Sequence, residues 1–462
     1  MVELMETLPP TAPMCAGEAD GGRFARRTYA WFVVGALSLA NMMSYVERQV
    51  PTLLFGPIKR SFGLNDTQVS LLAGFAFSIF YVCFGLFAGR LADRSNRQRI
   101  ITVGIGLWGV ATMSCGLAAS FGQLFISRVF VGVGEATLGP SAISMLADYF
   151  APDRLARALS VYTGAQYLGA GFALVAGGFV LELVSAIRVP HLPFIGALAP
   201  WQSCFLIVGI LGLLVAVPMM FVREPPRHGH RAGNSPMAEP SFAETRRFLR
   251  KNWKTYTAHF TAFSISGAVG FGTVAWMPTF FMRTYGVAPQ NIGYVYGLML
   301  ALLGGAGVLA GARLAEWLGA RGYRDTYWRT PLITLALSAI PASLVPLMPS
   351  ETSCFVVLGV ATFLSSFPVA PIIAALQVIT PNAMRGQVVA LFFFLASILG
   401  NGLGPTLVAA VTDYLYGNEM MVGIAISTVT LVITPIVVLI LMWGLKPYRE
   451  SLARAAQFAD AS

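Results

Sequence analysis

Twelve long runs of apolar residues, separated by short polar segments, make up most of this chain. Each run holds about 20 residues or more, the length that an α-helix needs to cross the hydrocarbon core of a bilayer. The runs lack the ten-residue alternation of polar and apolar positions that is typical of membrane β-strands. The pattern therefore predicts an all-α membrane protein with twelve transmembrane helices. The predicted spans cover residues 28–57, 67–92, 99–119, 122–149, 156–184, 201–222, 253–283, 291–318, 329–348, 353–379, 385–413 and 420–444.

The longest polar stretch, from Arg223 to Lys254, divides the twelve runs six and six. Its content of Pro, Gly and His is typical of a flexible linker. This indicates two six-helix bundles joined by the linker. The predicted divisions are an N-terminal tail at 1–27, a first bundle at 28–222, a linker at 223–252, a second bundle at 253–444 and a C-terminal tail at 445–462.

Two short sequences recur at the same relative place in each half. RLAD at 90–93, after the second run, returns as RLAE at 313–316, after the eighth. LGAG at 168–171 in the fifth run returns as LGNG at 399–402 in the eleventh. The similar offsets predict a duplicated six-helix unit and therefore two pseudo-symmetric bundles.

Composition excludes a soluble domain, because 56% of the residues are hydrophobic and only 11% are charged. The net charge of +10 raises the question of nucleic-acid binding, but its distribution indicates membrane topology instead. With the N-terminus inside, 25 of the 31 Lys and Arg residues fall in inside segments and only 4 fall outside. We therefore expect no nucleic-acid partner, both termini in the cytoplasm, and a bacterial inner membrane as the location.

Four ionisable residues fall inside the predicted spans, away from their ends. Glu47 and Arg48 lie in span 1, and Arg128 and Glu135 lie in span 4. Charges at this depth are costly, so they usually face a protein-lined cavity and mark a substrate or proton path. We expect Glu47 and Glu135 to exchange protons, with Arg48 and Arg128 as their partners or as anchors for an anionic head group. The alternative is a buried ion pair that only locks spans 1 and 4 together.

The spacing of these residues along their helices favours one shared site. Arg128 and Glu135 are two helical turns apart, about 10.5 Å along one face. Glu47 and Arg128 both lie toward the outer side, so they are expected to meet at one depth. Pro51 cannot donate a hydrogen bond to the carbonyl of Glu47, which leaves a free acceptor beside an ionisable acid.

The segment that joins spans 2 and 3 reads GRLADRSNRQR at 89–99. Its glycine allows a neighbouring helix to come close, and Asp93 is an acid at a helix end among arginines. The segment resembles the signature loop of the major facilitator superfamily. This resemblance implies that Asp93 latches the cytoplasmic side by meeting the start of span 11 near Arg385. The residues of this gate motif are Gly89, Asp93, Arg94, Arg97, Arg99 and, in the second half, Glu316.

A closer resemblance is to the Spinster branch of that superfamily. It depends on YVERQ at 45–49, the GRLADR loop, RVFVGVGEA at 128–136 and WMP at 276–278. Spinster proteins usually have Asp-Arg in span 1, whereas this chain has the longer acid in Glu47-Arg48. The resemblance implies a proton-linked or facilitated carrier of amphipathic molecules, because animal relatives handle lysophospholipids and sphingoid phosphates.

The second half offers no acid or base at mid-membrane depth. A charged site in one half that faces an apolar and aromatic half would suit a substrate with a polar head and an oily tail. The candidate cavity residues in the second half are Phe271, Trp276, Gln377 and Asn401.

Other classes of membrane protein remain as alternatives. A proton-coupled metabolite or drug efflux carrier of another major-facilitator branch would share these features. A membrane enzyme would need a nucleophile and base or a metal-ligand cluster in its spans, and a non-transporting sensor would need a further soluble domain. We find neither in the sequence. We therefore expect a monomeric secondary transporter, not an enzyme, that moves a small molecule and protons across the lipid bilayer by alternating access, with no cofactor and no metal.

Overall fold

The computed structural model describes residues 27–186, 191–192, 196–227, 242–381 and 384–460. Residues 1–26 of the predicted N-terminal tail and residues 228–241 of the predicted linker lie outside the described ranges. Within them, twelve helices are long and apolar enough to cross a membrane, which confirms the all-α fold. The domain boundaries stay predictions. A two-residue antiparallel pairing of His191–Leu192 with Gly196–Ala197 lies between spans 5 and 6.

The first half contains spans 1 to 6, and hydrogen-bonding side chains fix where several of its helices begin. Asn65 caps span 2, because its side chain accepts from the backbone N–H of Gln68 at 2.8 Å and the Gln68 side chain accepts from the backbone N–H of Asn65 at 3.0 Å. The helices are Arg27–Leu53 (span 1), Asp66–Ala73 and Phe75–Arg94 (span 2), Arg97–Gly116 (span 3), Phe121–Glu135 and Leu138–Tyr149 (span 4), Pro152–Ala186 (span 5) and Pro200–Met220 (span 6). A separate short helix, Phe55–Phe62, lies between spans 1 and 2.

The second half contains spans 7 to 12, and two of its spans include π-helical turns, which are frequent at functional sites. A short helix, Phe242–Lys251, precedes span 7. The spans are Trp253–Thr284 (span 7); Pro289–Met299, the π-turn Leu300–Gly304 and Gly305–Ala320 (span 8); Thr326–Leu344 and Val345–Leu347 (span 9); Glu351–Ser365 and Val369–Ile379 (span 10); Arg385–Ala396, the π-turns Ser397–Gly402 and Val411–Tyr416, and Gly404–Ala410 between them (span 11); and Glu419–Met421 and Val422–Asp460 (span 12).

The repeated glycine motif makes equivalent contacts in the two halves. Gly169 in span 5 packs against span 1, and its counterpart Gly400 in span 11 packs against span 7. Two residues further on, Gly171 lies against span 8, and its counterpart Gly402 lies against span 2. Spans 1, 2 and 5 thus correspond to spans 7, 8 and 11, as expected for a duplicated unit.

Because the number of spans is even, both ends of the described chain lie on one face of the bundle, here called the termini face. The two halves meet mainly toward the other face, here called the opposite face, where span 2 packs on span 11 and span 5 packs on span 8. The contact is close, since a Cβ atom on Gly74 would lie 2.6 Å from the carbonyl oxygen of Gly402. The parts of spans 8 and 11 nearer the termini face, Gly305–Ala320 and Arg385–Ala396, pack mainly within their own half.

The apolar cores follow the same division. One cluster of buried residues lies wholly in the first half, around Trp108 and Phe205, and another lies wholly in the second half, around Trp328 and Phe392. A third cluster, around Trp276, joins the two halves. The two halves are therefore closed against each other toward the opposite face and are packed separately toward the termini face.

Candidate proton and substrate site

Glu135 is a buried acid at the end of the first helix of span 4. The α-helix is interrupted by a turn at Ala136 and Thr137 and resumes at Leu138. Oε2 of Glu135 accepts a hydrogen bond from the Ser44 hydroxyl at 2.5 Å and another from Nε of Arg48 at 2.7 Å. Within the described part of the chain, its Oε1 has no hydrogen-bond partner. Glu135 therefore ties span 4 to span 1 and keeps one acceptor unused.

The guanidinium of Arg48 lies among three aromatic rings. Its central carbon is 5.0 Å from the ring centroid of Tyr45, 4.6 Å from that of Phe77 and 4.6 Å from that of Tyr81. A cation within about 6 Å of a ring centroid is attracted by the ring's negative face. The Arg48 side chain is 19% exposed, whereas the Glu135 side chain is 0% exposed. Arg48 is thus the member of the ion pair that solvent reaches.

Glu47 is buried and turned toward spans 3 and 6. Its Oε2 accepts a hydrogen bond from the Thr112 hydroxyl of span 3, and its Oε1 lies against Gly212 of span 6. A Cβ atom at 212 would overlap this oxygen, so a larger residue there would displace the Glu47 carboxyl. In the part of the molecule that the structure describes, Oε1 has no hydrogen-bond partner and Glu47 forms no ion pair. An isolated buried charge is costly, and a bound proton removes that cost.

Arg128 is 1% exposed and binds backbone rather than acid. Its Nη1 donates to the carbonyl of Glu47 at 3.1 Å, and its Nε donates to the carbonyl of Leu72 at 3.3 Å. The ring of Phe77 lies 5.8 Å away. Because Pro51 has no N–H, the Glu47 carbonyl lacks its helical donor, and Arg128 takes that place. Arg128 thereby joins spans 1, 2 and 4.

The four ionisable residues lie in one region, but their pairing differs from the expectation. Glu47 and Arg128 meet through the backbone carbonyl of Glu47 instead of its carboxylate, and the ion pair joins Arg48 to Glu135. Sequence reasoning also missed several residues that complete the site. The only local signal was Tyr45, three residues before Arg48 and so on the same helical face. The missed residues are Ser44, Tyr45, Leu72, Phe77, Tyr81, Thr112 and Gly212.

The second half holds a cavity of about 370 Å³ between spans 7, 8, 9, 10 and 12. None of the described residues that line it carries a formal charge. Several of its hydroxyl groups are used within their own helices, since Ser338, Ser366 and Thr430 each donate to a backbone carbonyl one turn earlier. The cavity therefore offers an apolar environment, and its volume is more than twice the ~150 Å³ that accommodates benzene in an engineered cavity.

The candidate cavity residues of the second half fall in different places. Phe271 lines the cavity and is 47% exposed. Trp276 does not line this cavity: it is fully buried, its Nε1 donates to the carbonyl of Pro405 at 2.8 Å, and it joins the two halves in the core. Gln377 is exposed outside the cavity, and Asn401 is half-buried in a π-turn of span 11. A bulky indole needs close packing and a bonded N–H, and the core supplies both.

The gate motif is not latched in this conformation. Asp93 is exposed, and Arg385 donates to the carbonyl of Thr380 at 3.1 Å, so the implied contact between Asp93 and the start of span 11 does not occur. The physical reason is the separation of the halves toward the termini face. Arg227 instead donates to the backbone carbonyls of Ala92 at 2.8 Å and Ser95 at 2.7 Å, close to the end of span 2.

The other motif residues divide into one buried arginine and several exposed groups. Arg97 is buried and pairs with Asp148 at 2.5 Å and Glu224 at 2.7 Å, which holds span 3 to the end of span 4 and to the segment after span 6. Arg97 therefore stabilises the first half internally. Arg94, Arg99 and Glu316 are exposed, and the nearest neighbour to a Cβ on Gly89 would be Pro140 at 4.0 Å.

A cluster of ion pairs closes the opposite face. Asp66 of the first half binds Lys59 at 2.8 Å and Arg283 of the second half at 2.6 Å, and Glu419 of the second half binds Lys59 at 2.5 Å. Burial lowers the pKa of Lys59, but its hydrogen bonds to Asp66 and Glu419 outweigh this and raise the pKa above its ordinary 10.5. The stabilisation from Lys59 is therefore present at neutral pH and is lost only as the pH rises through this raised pKa.

Twelve spans in two repeated halves, with ionisable residues buried within the spans of the first half and an apolar cavity in the second half, are the features of a secondary transporter. The chain belongs to the major facilitator superfamily, whose family model matches residues 37–405. It is Spinster-like within that superfamily, which confirms the second resemblance, and the family comprises transporters and not enzymes.

Similar proteins have been found among both sequences and structures. An MFS-type efflux pump of Mycolicibacterium smegmatis is 30% identical over 406 residues, which cover 88% of this chain and 90% of the relative. Protein spinster homolog 1 of Homo sapiens is 25% identical over 413 residues, covering 84% of this chain and 74% of the relative. The crystal structure of a bacterial homolog to the human lysosomal transporter Spinster, inward-facing and unoccupied, superposes with a TM-score of 0.81 at 24% identity, over 93% of this chain and 99% of that chain.

Proposed function

We propose that this protein is a proton-coupled transporter of small amphipathic molecules that works as a monomer by alternating access. The observation that carries the proposal is the similar depth of two sites, the charged group around Glu135 in the first half and the apolar cavity in the second half. At 1.5 Å per residue, Glu135 lies about 21 Å from the termini face and Gly270, in the wall of the apolar cavity, lies about 25 Å from it. A polar head and an oily tail would therefore find their sites at the same level of the membrane.

Proton coupling is supported by the arrangement of Glu135, Arg48 and Glu47. A proton on Glu135 removes the negative charge that holds Arg48, so proton binding and the position of Arg48 are linked. The buried carboxyl of Glu47, with one unpartnered oxygen, provides a second place for a proton. Movement of the halves that changes the access of Arg48 to Glu135 would then change the affinity for protons on each side.

The similar proteins leave two candidate substrate classes. The resemblance to Spinster proteins implies amphipathic substrates of the lysolipid or sphingoid kind. Drug efflux is the second candidate, because the more similar bacterial relative is an efflux pump. Both candidates need an amphipathic site, and they differ in the substrate and not in the site.

The test uses the purified full chain in liposomes with a tritiated dodecyl lysophospholipid and an imposed gradient of one pH unit. We expect uptake that a protonophore abolishes, with accumulation of up to about tenfold if one proton moves per substrate, since one pH unit is about 1.4 kcal/mol. Transport at the same rate with and without the gradient would contradict proton coupling. Protein-free liposomes are the control for passive partition.

The orientation of the chain is part of the proposal. The bias of Lys and Arg places the termini face in the cytoplasm, in a bacterial inner membrane. In a variant without the native cysteines, an impermeant thiol reagent added to intact cells is expected to label Ala186→Cys and to spare Arg223→Cys, both of which are exposed positions. Labelling of Arg223→Cys alone would reverse the assignment. Lysed cells, in which both should react, provide the control.

A further inference from the structure

The surroundings of Arg48 have the chemistry of a cation-binding cage. Tyr45, Phe77 and Tyr81 place their ring centroids 4.6–5.0 Å from the guanidinium carbon, and Glu135 places a carboxylate oxygen 2.7 Å from Nε. Aromatic cages of this kind also bind quaternary ammonium ligands. A guanidinium and an alkylammonium carry the same charge, so either cation can satisfy the rings and the carboxylate.

Arg48 is the exchangeable member of this group. Its side chain is 19% exposed, whereas the Glu135 side chain is fully buried and keeps Oε1 without a partner among the described residues. When Arg48 turns toward solvent, the buried carboxylate and the three rings remain in place. They then form a preorganised site that lacks only a cation.

An anionic head group fits the same place poorly. It would meet the negative faces of the rings and the carboxylate of Glu135, and its arginine partner would already be paired. Arg128 offers no accessible substitute. It donates to the carbonyls of Glu47 and Leu72, and its Nη2, which has no partner among the described residues, belongs to a side chain that is only 1% exposed. The electrostatics therefore favour a positive head, opposite to the anionic head group considered from the sequence.

We propose that the substrates are monocationic amphiphiles, whose head group replaces the Arg48 guanidinium between Tyr45, Phe77, Tyr81 and Glu135. The apolar cavity of the second half takes the alkyl or aryl tail. This inference rests on the proposed function and names its substrate class.

The test measures binding of dodecyltrimethylammonium and dodecyl phosphate, which share one tail, to the purified full chain in lipid nanodiscs by calorimetry. We expect the wild type to prefer the cation. Arg48→Gln should bind the cation at least about tenfold more tightly, because it removes a competitor held by a charge-assisted hydrogen bond. Tyr81→Leu should weaken binding about twofold to thirtyfold, and Tyr81→Phe, which keeps the ring, should restore it.

The matched control is Arg321→Gln, which also removes an arginine from an aromatic ring, since Arg321 lies 3.5 Å from the ring centroid of Trp317 outside the site. Its affinity for the cation should equal that of the wild type. Weaker cation binding by Arg48→Gln, or a wild type that prefers dodecyl phosphate and loses it in Arg48→Gln, would overturn the proposal. If Arg48→Gln does not fold, the Tyr81 pair decides, and equal affinity of Tyr81→Leu and wild type overturns it.

The binding experiment and the transport experiment fail independently. Absence of a cation preference, together with proton-driven uptake of the lysophospholipid, would overturn the substrate class and leave the proposed function in place. A cation preference without any proton-driven uptake would support the cage and contradict the coupling.

Discussion

Glu135→Gln is expected to abolish proton-driven accumulation of substrate, reducing the concentration ratio under a gradient of one pH unit from about tenfold to about one. The glutamine side chain can still accept hydrogen bonds from Ser44 and Arg48 through its single oxygen, so the local packing survives. It cannot bind or release a proton, and it no longer attracts a cation. Exchange of substrate at saturating concentration, without a pH gradient, should persist because the rings and the apolar cavity remain. Uptake and exchange in the same proteoliposomes measure the two effects separately.

The control for Glu135→Gln is Glu182→Gln, which removes an exposed acid of the same half outside the charged site. It should accumulate substrate like the wild type. The double variant Glu47→Gln, Glu135→Gln gives the sharper outcome. If it still accumulates substrate against a gradient, these carboxyls are not the coupling site, and the ion pair serves only to hold spans 1 and 4 together.

Arg128→Ala is expected to cost the most stability, about 3–6 kcal/mol, because it leaves two buried carbonyls without donors, each worth about 1–3 kcal/mol, and also leaves a cavity. The carbonyl of Glu47 has no replacement donor, since Pro51 lacks an N–H. Spans 1, 2 and 4 lose their common contact at the same time. We expect a large fall in the apparent melting temperature or loss of folded protein, measured by fluorescence-detected size exclusion after heating.

Two further variants are needed for comparison with Arg128→Ala. Arg128→Lys should recover only part of the stability, because one ammonium replaces a planar group that reaches two carbonyls in different helices. Arg60→Ala removes an exposed arginine from the same half and should leave the melting temperature unchanged. Equal stability of Arg128→Ala and the wild type would show that Arg128 is not a structural donor in the folded protein.

The spans were predictable because hydropathy and length are local properties of the sequence. Span 6 was predicted at 201–222 and is observed at Pro200–Met220. The ends were less predictable where a helix continues beyond the membrane or breaks inside a run. Span 12 was predicted to end at 444, but its helix runs from Val422 to Asp460, and span 1 ends at Leu53 before a separate helix, Phe55–Phe62. Apolar composition marks the membrane and not the hydrogen-bonded ends of a helix.

The candidate site was predictable only as a set of residues. A charged group in an apolar span stands out in the sequence, so Glu47, Arg48, Arg128 and Glu135 could be named without a structure. Phe271 and Trp276 could not be told apart in this way, because both are aromatic residues in one span and both were named as candidates. One lines the cavity and the other is buried in the core. Their difference depends on which side of span 7 faces its neighbours.

The sequence by itself determined the number of spans, the division into two halves, the charge asymmetry of the loops and the identity of the membrane-embedded charges, because each is a property of residues close together in the chain. Only the tertiary structure decided that Arg48 pairs with Glu135, 87 residues later, that Arg128 binds the carbonyl freed by Pro51, and that three rings enclose a cation. These contacts depend on how the helices rotate and pack against one another. Helix packing is the sum of many weak contacts between distant residues, and no short stretch of sequence contains that information.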